Sequence, residues 1–354
     1  MRYGIALLAL MVTLLTLRGA AAAAQQPSAL DLRINALSAH ALMSEPAALL
    51  VDPARQAAAI RRAHWTVFGF VVTQLFQAIA LFYLWSSGGA ASLRDRLRRR
   101  FGNEWSVRFL FGAALALVAR LAAFLPSFYL YRVDHTLGLT YELTRYWGLY
   151  WIAHTILAML ISGFIAAVVL WLVSWTHQWY VYAIGGILAA TVIWSLFNPT
   201  RFETFPASTP KELRYAAAFS QAVEHDQLSI ALIDGGIIIV FAAIAVIIAD
   251  RVKFRRDDDP LSRLAIVGAL LALVYLGAVP VRDAVQRTYD FADDDYAVNF
   301  TDDSTGAVRA FVRLADHRMV EVCPELSATL FLYTAPGIGP RVAAINHVPS
   351  RCPR

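Results

Sequence analysis

The chain has 354 residues, of which 58% are apolar and 16% charged, with a formal net charge of +5. That apolar share exceeds the roughly 45–50% of a soluble domain, which excludes one large water-exposed globule. The basic residues stand beside the apolar runs, where they orient a chain in a membrane, so the positive charge does not point to nucleic acid.

In chain order, Arg2, the short apolar run Tyr3–Leu17 and the small residues Gly19–Ala24 have the layout of a secretory leader over residues 1–24, cleaved after Ala24. An uncleaved signal anchor is the alternative. Residues 25–63 are then expected outside the cytoplasm. Six long apolar stretches follow: His64–Ser87, Val107–Leu130, Gly148–Ser174, Trp179–Phe197, Leu228–Asp250 and Ser262–Val281. Each has about the 20 residues that a helix needs to cross a bilayer. With no water to satisfy backbone N–H and C=O groups in hydrocarbon, such stretches must be α-helical. The expected fold is therefore all-α and polytopic. It has a four-helix membrane domain over 64–197, a short loop over 198–227, two more spans within 228–281, and a soluble helical tail over 282–354.

Several side chains inside the stretches carry chemical interest. Arg120 falls near the middle of the second stretch, where a charge costs roughly 2.5–3.5 kcal/mol on insertion scales and is functional by default. His154 and Asp234 are its possible partners, and the three are the candidate lining of an intramembrane chamber. Pro126 predicts a kink, and Gly185 and Gly186 predict a close helix contact. Trp65, Trp85, Trp105, Trp147, Trp175 and Trp194 gather near the ends of the runs as an interfacial belt.

Topology follows from charge. Arg94, Arg96, Arg98, Arg99 and Arg100, and then Arg251, Lys253, Arg255 and Arg256, mark two cytoplasmic loops. An even number of crossings separates them, which leaves the tail outside the cytoplasm, in a multi-pass protein of a bacterial-type inner (plasma) membrane. Cys323 and Cys352, the only cysteines, then share an oxidising compartment. They are a candidate disulfide, with two free thiols as the alternative.

The tail reads Arg287-Thr-Tyr-Asp290-Phe-Ala-Asp293-Asp294, then an amphipathic stretch Gly306–His317, then Ala335-Pro336 and Arg341-Val342. Upstream stand Val51-Asp52-Pro53-Ala54, Leu125-Pro126 with Tyr129, Leu137-Gly138-Leu139, Leu196-Phe197-Asn198, and Thr209-Pro-Lys-Glu212-Leu. In order and spacing these segments resemble the CAAX prenyl protease family of membrane zinc metallopeptidases. The resemblance covers most of residues 51–346. It implies a helical chamber in the membrane, a zinc centre, and prenylated or membrane peptides as ligands.

The chain departs from that family where the chemistry lies. Zinc peptidases of this kind use H-E-x-x-H, which aims two imidazoles from one helix face at the metal while the Glu activates water. None of the eight His is followed by Glu, and no two stand four apart. A gapless reading puts Phe219, Ser220 and Val223 at the H, E and H positions; a two-residue slip puts Gln221, Ala222 and His225 there. Asp290 takes the place of the third ligand, a Glu, and Asp294 that of the carboxylate supporting the ligands. Both positions are vestigial in this reading. Ala335 replaces the family's final His.

The cluster Asp290, Asp293, Asp294, Asp295, Asp302 and Asp303 lacks calcium-hand spacing and is expected to be a solvated or helix-capping face. No Gly-rich phosphate loop and no G-x-S-x-G is present. The sequence therefore points to a non-catalytic binding or scaffold protein without a cofactor, partnered by the lipid bilayer and by membrane or lipidated peptides. One alternative is a working zinc endopeptidase with unorthodox ligands such as His225 and Asp290. The other is a channel or transporter built on the same chamber.

Overall fold

Lipid leaves a polypeptide of this composition one solution, and the computed structural model adopts it. The structure describes residues 28–197, 205–251, 259–350 and 352, and these are helical with no strand among them. The leader, Asn198 and the basic residues Lys253, Arg255 and Arg256 lie outside the described residues. Met1–Leu37 form one compact unit and Ser38–Arg354 a second. In the first, Ser28 opens α1 (Ala29–Asn35) through a capping box with Asp31. The second begins with the short helices α2 (Ala39–Ser44) and α3 (Ala47–Leu50).

Five helices of the second unit are long and apolar enough to cross a membrane: α4 (Pro53–Ser86), α6 (Glu104–Ala122), α8 (Thr144–Trp175), α10 (Pro210–Arg251) and α11 (Pro260–Thr301). The protein is thus all-α and polytopic. The expected fourth span is α9 (Trp179–Phe197), a shorter apolar helix over its described side chains. α5 (Gly89–Arg100) carries the basic run and α7 (Phe124–Thr136) follows α6.

Small residues let the membrane helices approach, as they must where lipid supplies no hydrophobic drive between helices. A Cβ on Gly112 of α6 would stand 2.5 Å from the Ala166 Cβ of α8, and one on Gly163 would stand 2.7 Å from the Phe109 carbonyl. Gly235 of α10 is similarly tight, 2.7 Å from Thr191 Oγ1 of α9. Gly185 and Gly186, expected at such a contact, have nothing within 4 Å. Their position on α9 faces open space, so small size there serves no packing.

The second apolar stretch is not one span. It breaks at Ala123, and Pro126 sits in the first turn of α7, where its missing N–H leaves the Ala122 carbonyl without a helical donor. Arg120 is therefore in the last turn of α6 and not at mid-span. α7 packs back along α4, with Leu130 against Gly69 and Arg62 Nε bonded to Asp134 Oδ1 at 2.7 Å.

The boundaries expected at 228 and 282 also dissolve. α10 starts at Pro210, and α11 runs through Pro280 and on to Thr301, so both helices project far beyond their apolar portions. These projections join α12 (Ser304–Arg318), α13 (Leu326–Phe331) and α14 (Ile338–Ile345) in a helical head. The start of α4 is sewn to it: Asp52 N–H donates to Asp316 Oδ1 at 2.9 Å, Gln56 Nε2 to the Val320 carbonyl at 3.0 Å, and Val322 N–H to Gln56 Oε1 at 3.1 Å. Cys323 and Cys352 form a disulfide with Cα atoms 5.3 Å apart.

At the other end of α4, α5 meets the start of α11. Arg94 Nη1 donates to Ser262 Oγ at 3.1 Å and Arg98 Nη1 to Asp259 Oδ2 at 2.8 Å. The end of α10 is near them, with Asp250 paired to Arg263 of α11 at 3.5 Å.

Candidate functional site

The head's core is built by the first turns of α10. Ser208 and Thr209 N–H groups donate to Glu212 Oε2 at 2.7 and 3.1 Å, fixing the carboxylate at the helix start. Arg313 of α12 completes its shell, Nε to Oε2 at 3.2 Å, and both side chains are fully buried. One turn on, Tyr215 Oη donates to Asp294 Oδ1 of α11 at 2.7 Å. Arg341 of α14 grips the same carboxylate with Nε at 2.7 Å and Nη2 at 2.8 Å. Its guanidinium lies 4.2 Å from the Phe311 ring centroid and 5.5 Å from that of Phe219. Glu212 and Asp294 each have a bidentate or multiply bonded shell, the arrangement that makes burial of charge tolerable.

The two aligned His positions, Phe219 and Val223, are buried hydrophobes of this core, and the Arg341 guanidinium lies across Phe219. His225 instead exposes 89% of its side chain and contacts Asp226 at 3.0 Å. Asp290, Asp293 and Asp294 are buried, which corrects the expectation for half of the acidic cluster; Asp295 and Asp302 are exposed, and Asp302 and Asp303 act as caps, ending α11 and starting α12. The reason is Arg341, which meets Asp294 from 47 residues away. Arg287 lies within electrostatic reach of Asp283 and Asp290 and donates to the Thr329 and Tyr333 carbonyls at 2.7 and 2.9 Å. Among the described residues no three His, Cys, Asp or Glu side chains come together in a way that could hold a metal ion. The donor set does not fit zinc: Asp294 is spent on Arg341, and His225 points away to solvent.

A second feature lies in the membrane layer. α9, α10 and α11 enclose a cavity of about 560 Å³. Its walls are apolar, from Ile187, Ala190, Ile230, Phe241, Val274 and Ala278, while Thr191, Gln227, Asp234 and Arg282 give it polar points. Asp234 Oδ2 accepts from Gln286 Nε2 at 3.2 Å, Gln227 Nε2 donates to the Ser195 carbonyl, and Arg282 Nε bonds the neighbouring Asp283 at 3.2 Å. A volume in the range of about 300–1,000 Å³ with apolar walls and few fixed polar groups suits a small amphiphile. Of the three expected chamber residues, Asp234 lines this cavity, and Arg120 and His154 do not. His154 Nδ1 lies 2.9 Å from the Tyr150 carbonyl, with its ring 3.8 Å from that of Tyr150.

No protein-family model, curated protein or solved structure matches the chain.

Glu321 escaped the sequence reading. It is 1% exposed, and neither carboxyl oxygen has a hydrogen-bond partner. Burial pushes its carboxyl up to about 7, against the pull of the His64 charge, with the Glu325 charge adding to the rise. The Glu321 N–H donates to Tyr333 Oη at 3.3 Å, and burial followed by the Glu321 charge raises that phenol to about 12. The signal available was a lone acid between Val320 and Val322, just before Cys323. Asp303 behaves in the opposite way. Burial raises it, but bonds from Thr305 Oγ1 at 2.7 Å and Gly306 N–H at 2.9 Å, together with Lys211, leave it below the usual carboxylate range.

Proposed function

We propose that the protein is a non-catalytic, membrane-embedded binding protein that holds the apolar chain of a lipid or lipidated peptide in the cavity between α9, α10 and α11. The observation that carries this reading is the cavity itself: about 560 Å³, walled by aliphatic and aromatic side chains, with Asp234, Gln227 and Arg282 placed to orient a polar end group. The resemblance to CAAX prenyl proteases supports the ligand class. In this reading the chain is a silenced relative, because Phe219 and Val223 stand where imidazoles would be needed and Arg341 occupies Asp294.

The head lies outside the cytoplasm of a bacterial-type inner membrane. The basic helix α5 bonds to the start of α11 at the end of α4 away from the head, which supports this orientation, since basic segments stay inside. A reporter fused after Arg354 reads the side directly.

The cavity is tested with a photoactivatable farnesyl peptide and the purified full chain. Ala278→Trp fills the cavity from α11 and is expected to cut cross-linking about tenfold or more, as loss of an apolar pocket's fit does. Cross-linking that is undiminished in Ala278→Trp, or that maps outside α9–α11, overturns the proposal.

A further inference from the structure

We propose that Arg120 and Trp151 form a binding site for the headgroup of an anionic phospholipid, in the leaflet on the head's side of the membrane. The site is separate from the α9–α11 cavity and does not depend on the reading given for it.

Among the described residues Arg120 makes no ion pair and no hydrogen bond; its Nε is buried without a partner there, and the Trp151 ring lies 5.7 Å from the guanidinium carbon. The Trp151 Nε1–H is likewise buried without an acceptor. Two side chains in contact thus carry unused donors, and one of them a full positive charge. Buried donors in native structures are almost always satisfied, so an orphaned pair of this kind points to an acceptor supplied from outside the chain. The acids nearest in sequence are otherwise engaged: Asp134 is bonded to Arg62 at 2.7 Å, and Glu104 pairs with Arg98 at 3.4 Å.

Depth decides which outside group it is. α6 begins beside the basic helix α5, and Arg120 lies 15 residues past Trp105, about 22 Å along the helix axis. Across a hydrocarbon layer of about 30 Å, that puts its guanidinium within side-chain reach of the far boundary. The surroundings agree with a headgroup level. Phe124 packs edge-on to Trp151 with centroids 5.0 Å apart, Trp147 stacks on Tyr131 at 5.1 Å, and Phe128 meets Trp147 at 5.3 Å, an aromatic girdle of the kind found at membrane interfaces. The break at Ala123 ends α6 two residues beyond Arg120, which is half-buried. A phosphodiester offers the shared chemistry both donors need, a negative charge with several acceptor oxygens. A lipid brings it to this depth, whereas a free phosphate would have to be desolvated to enter.

Native mass spectrometry of the full chain in detergent reads the site, with phosphatidylglycerol, phosphatidylcholine and inorganic phosphate as probes. The wild type is expected to retain one phosphatidylglycerol about tenfold more tightly than phosphatidylcholine, the value of one charge-assisted hydrogen bond. Arg120→Gln should abolish that preference, Arg120→Lys should keep part of it, and Trp151→Phe, which keeps the ring and removes the donor, should weaken it about threefold. Equal retention of the two lipids by wild type overturns the proposal. So does a preference unchanged in Arg120→Gln, saturation by inorganic phosphate alone, or an Arg120→Gln effect confined to oligomeric state, which would assign the cation to a carboxylate on a partner helix. Should Arg120→Gln fail to fold, Trp151→Phe carries the test, and an unaltered preference in it sinks the shared site.

Discussion

Two kinds of buried carboxylate sit within the same head. Glu212 and Asp294 are sealed in shells of two or more donors, each including an arginine that is itself fully buried. Glu321 is buried as deeply and has neither oxygen satisfied. The first two are ionised locks that join α10, α11, α12 and α14. The third is a group whose comfort depends on carrying a proton. Burial alone therefore says little about what an acid does in this fold. The donors that folding brings to it decide between structure and pH sensitivity.

The largest effect is expected from breaking a lock. Arg341→Met takes the bidentate guanidinium from the buried Asp294, which should destabilise the head by about 3–5 kcal/mol, the usual cost of breaking a buried pair by removing one member. Hydrogen exchange of α12 and α14 in the detergent-solubilised chain measures it. Adding Asp294→Leu to Arg341→Met should recover most of the loss, since an apolar pair of similar volume carries no desolvation penalty. If the single variant is as protected as wild type, the locking role is wrong.

Glu321→Gln tests the other side of the comparison and should have the next largest effect. The carboxyl rises from an ordinary 4.5 to about 7 in the folded head, so the folded state holds the proton more tightly than the unfolded chain. Stability from this group is complete below about pH 4.5, falls as pH rises through 7, and is lost above it, a change on the order of 3 kcal/mol. Exchange at residues 319–323, taken relative to the intrinsic amide rate at each pH, should therefore speed up between pH 5 and 8 in wild type and stay flat in Glu321→Gln. A wild-type profile without that rise removes the distinction between the two kinds of acid.

How much of this was legible beforehand differs by layer. The membrane helices were readable because hydrocarbon leaves the backbone no alternative to internal hydrogen bonds, and every long apolar stretch became helix. Their ends were not. The apolar signal stops at Val281, but nothing between there and Asp302 prevents α11 from continuing, and Pro280 costs it one bond in a helix braced by its neighbours. Val107–Leu130 read as one span because hydropathy is blind to the turn at Ala123, and that turn changes the depth of Arg120. Asp234 was legible as a cavity residue, being a charge inside an apolar run. The buried acids were not, because their fate rests on partners far along the chain: Arg313 stands 101 residues from Glu212, and no local pattern announces the pairing. That Phe219 and Val223 would be core needed partners far along the chain, Arg341 above all, in place.

The smallest effect is the sharpest probe of Glu321. His64 Nε2 lies 3.1 Å from Glu325 Oε2, with both side chains about half exposed, so the pair should contribute under about 1 kcal/mol and His64→Ala should barely alter the stability of the head. Yet the His64 charge is the main influence opposing burial at Glu321. Removing it leaves desolvation and the Glu325 charge to act together, so the midpoint of the pH-dependent exchange at residues 319–323 should move upward from about 7 while its amplitude persists. A structural role for His64 would lower protection at every pH without moving the midpoint, and a downward shift would overturn the influence assigned to it.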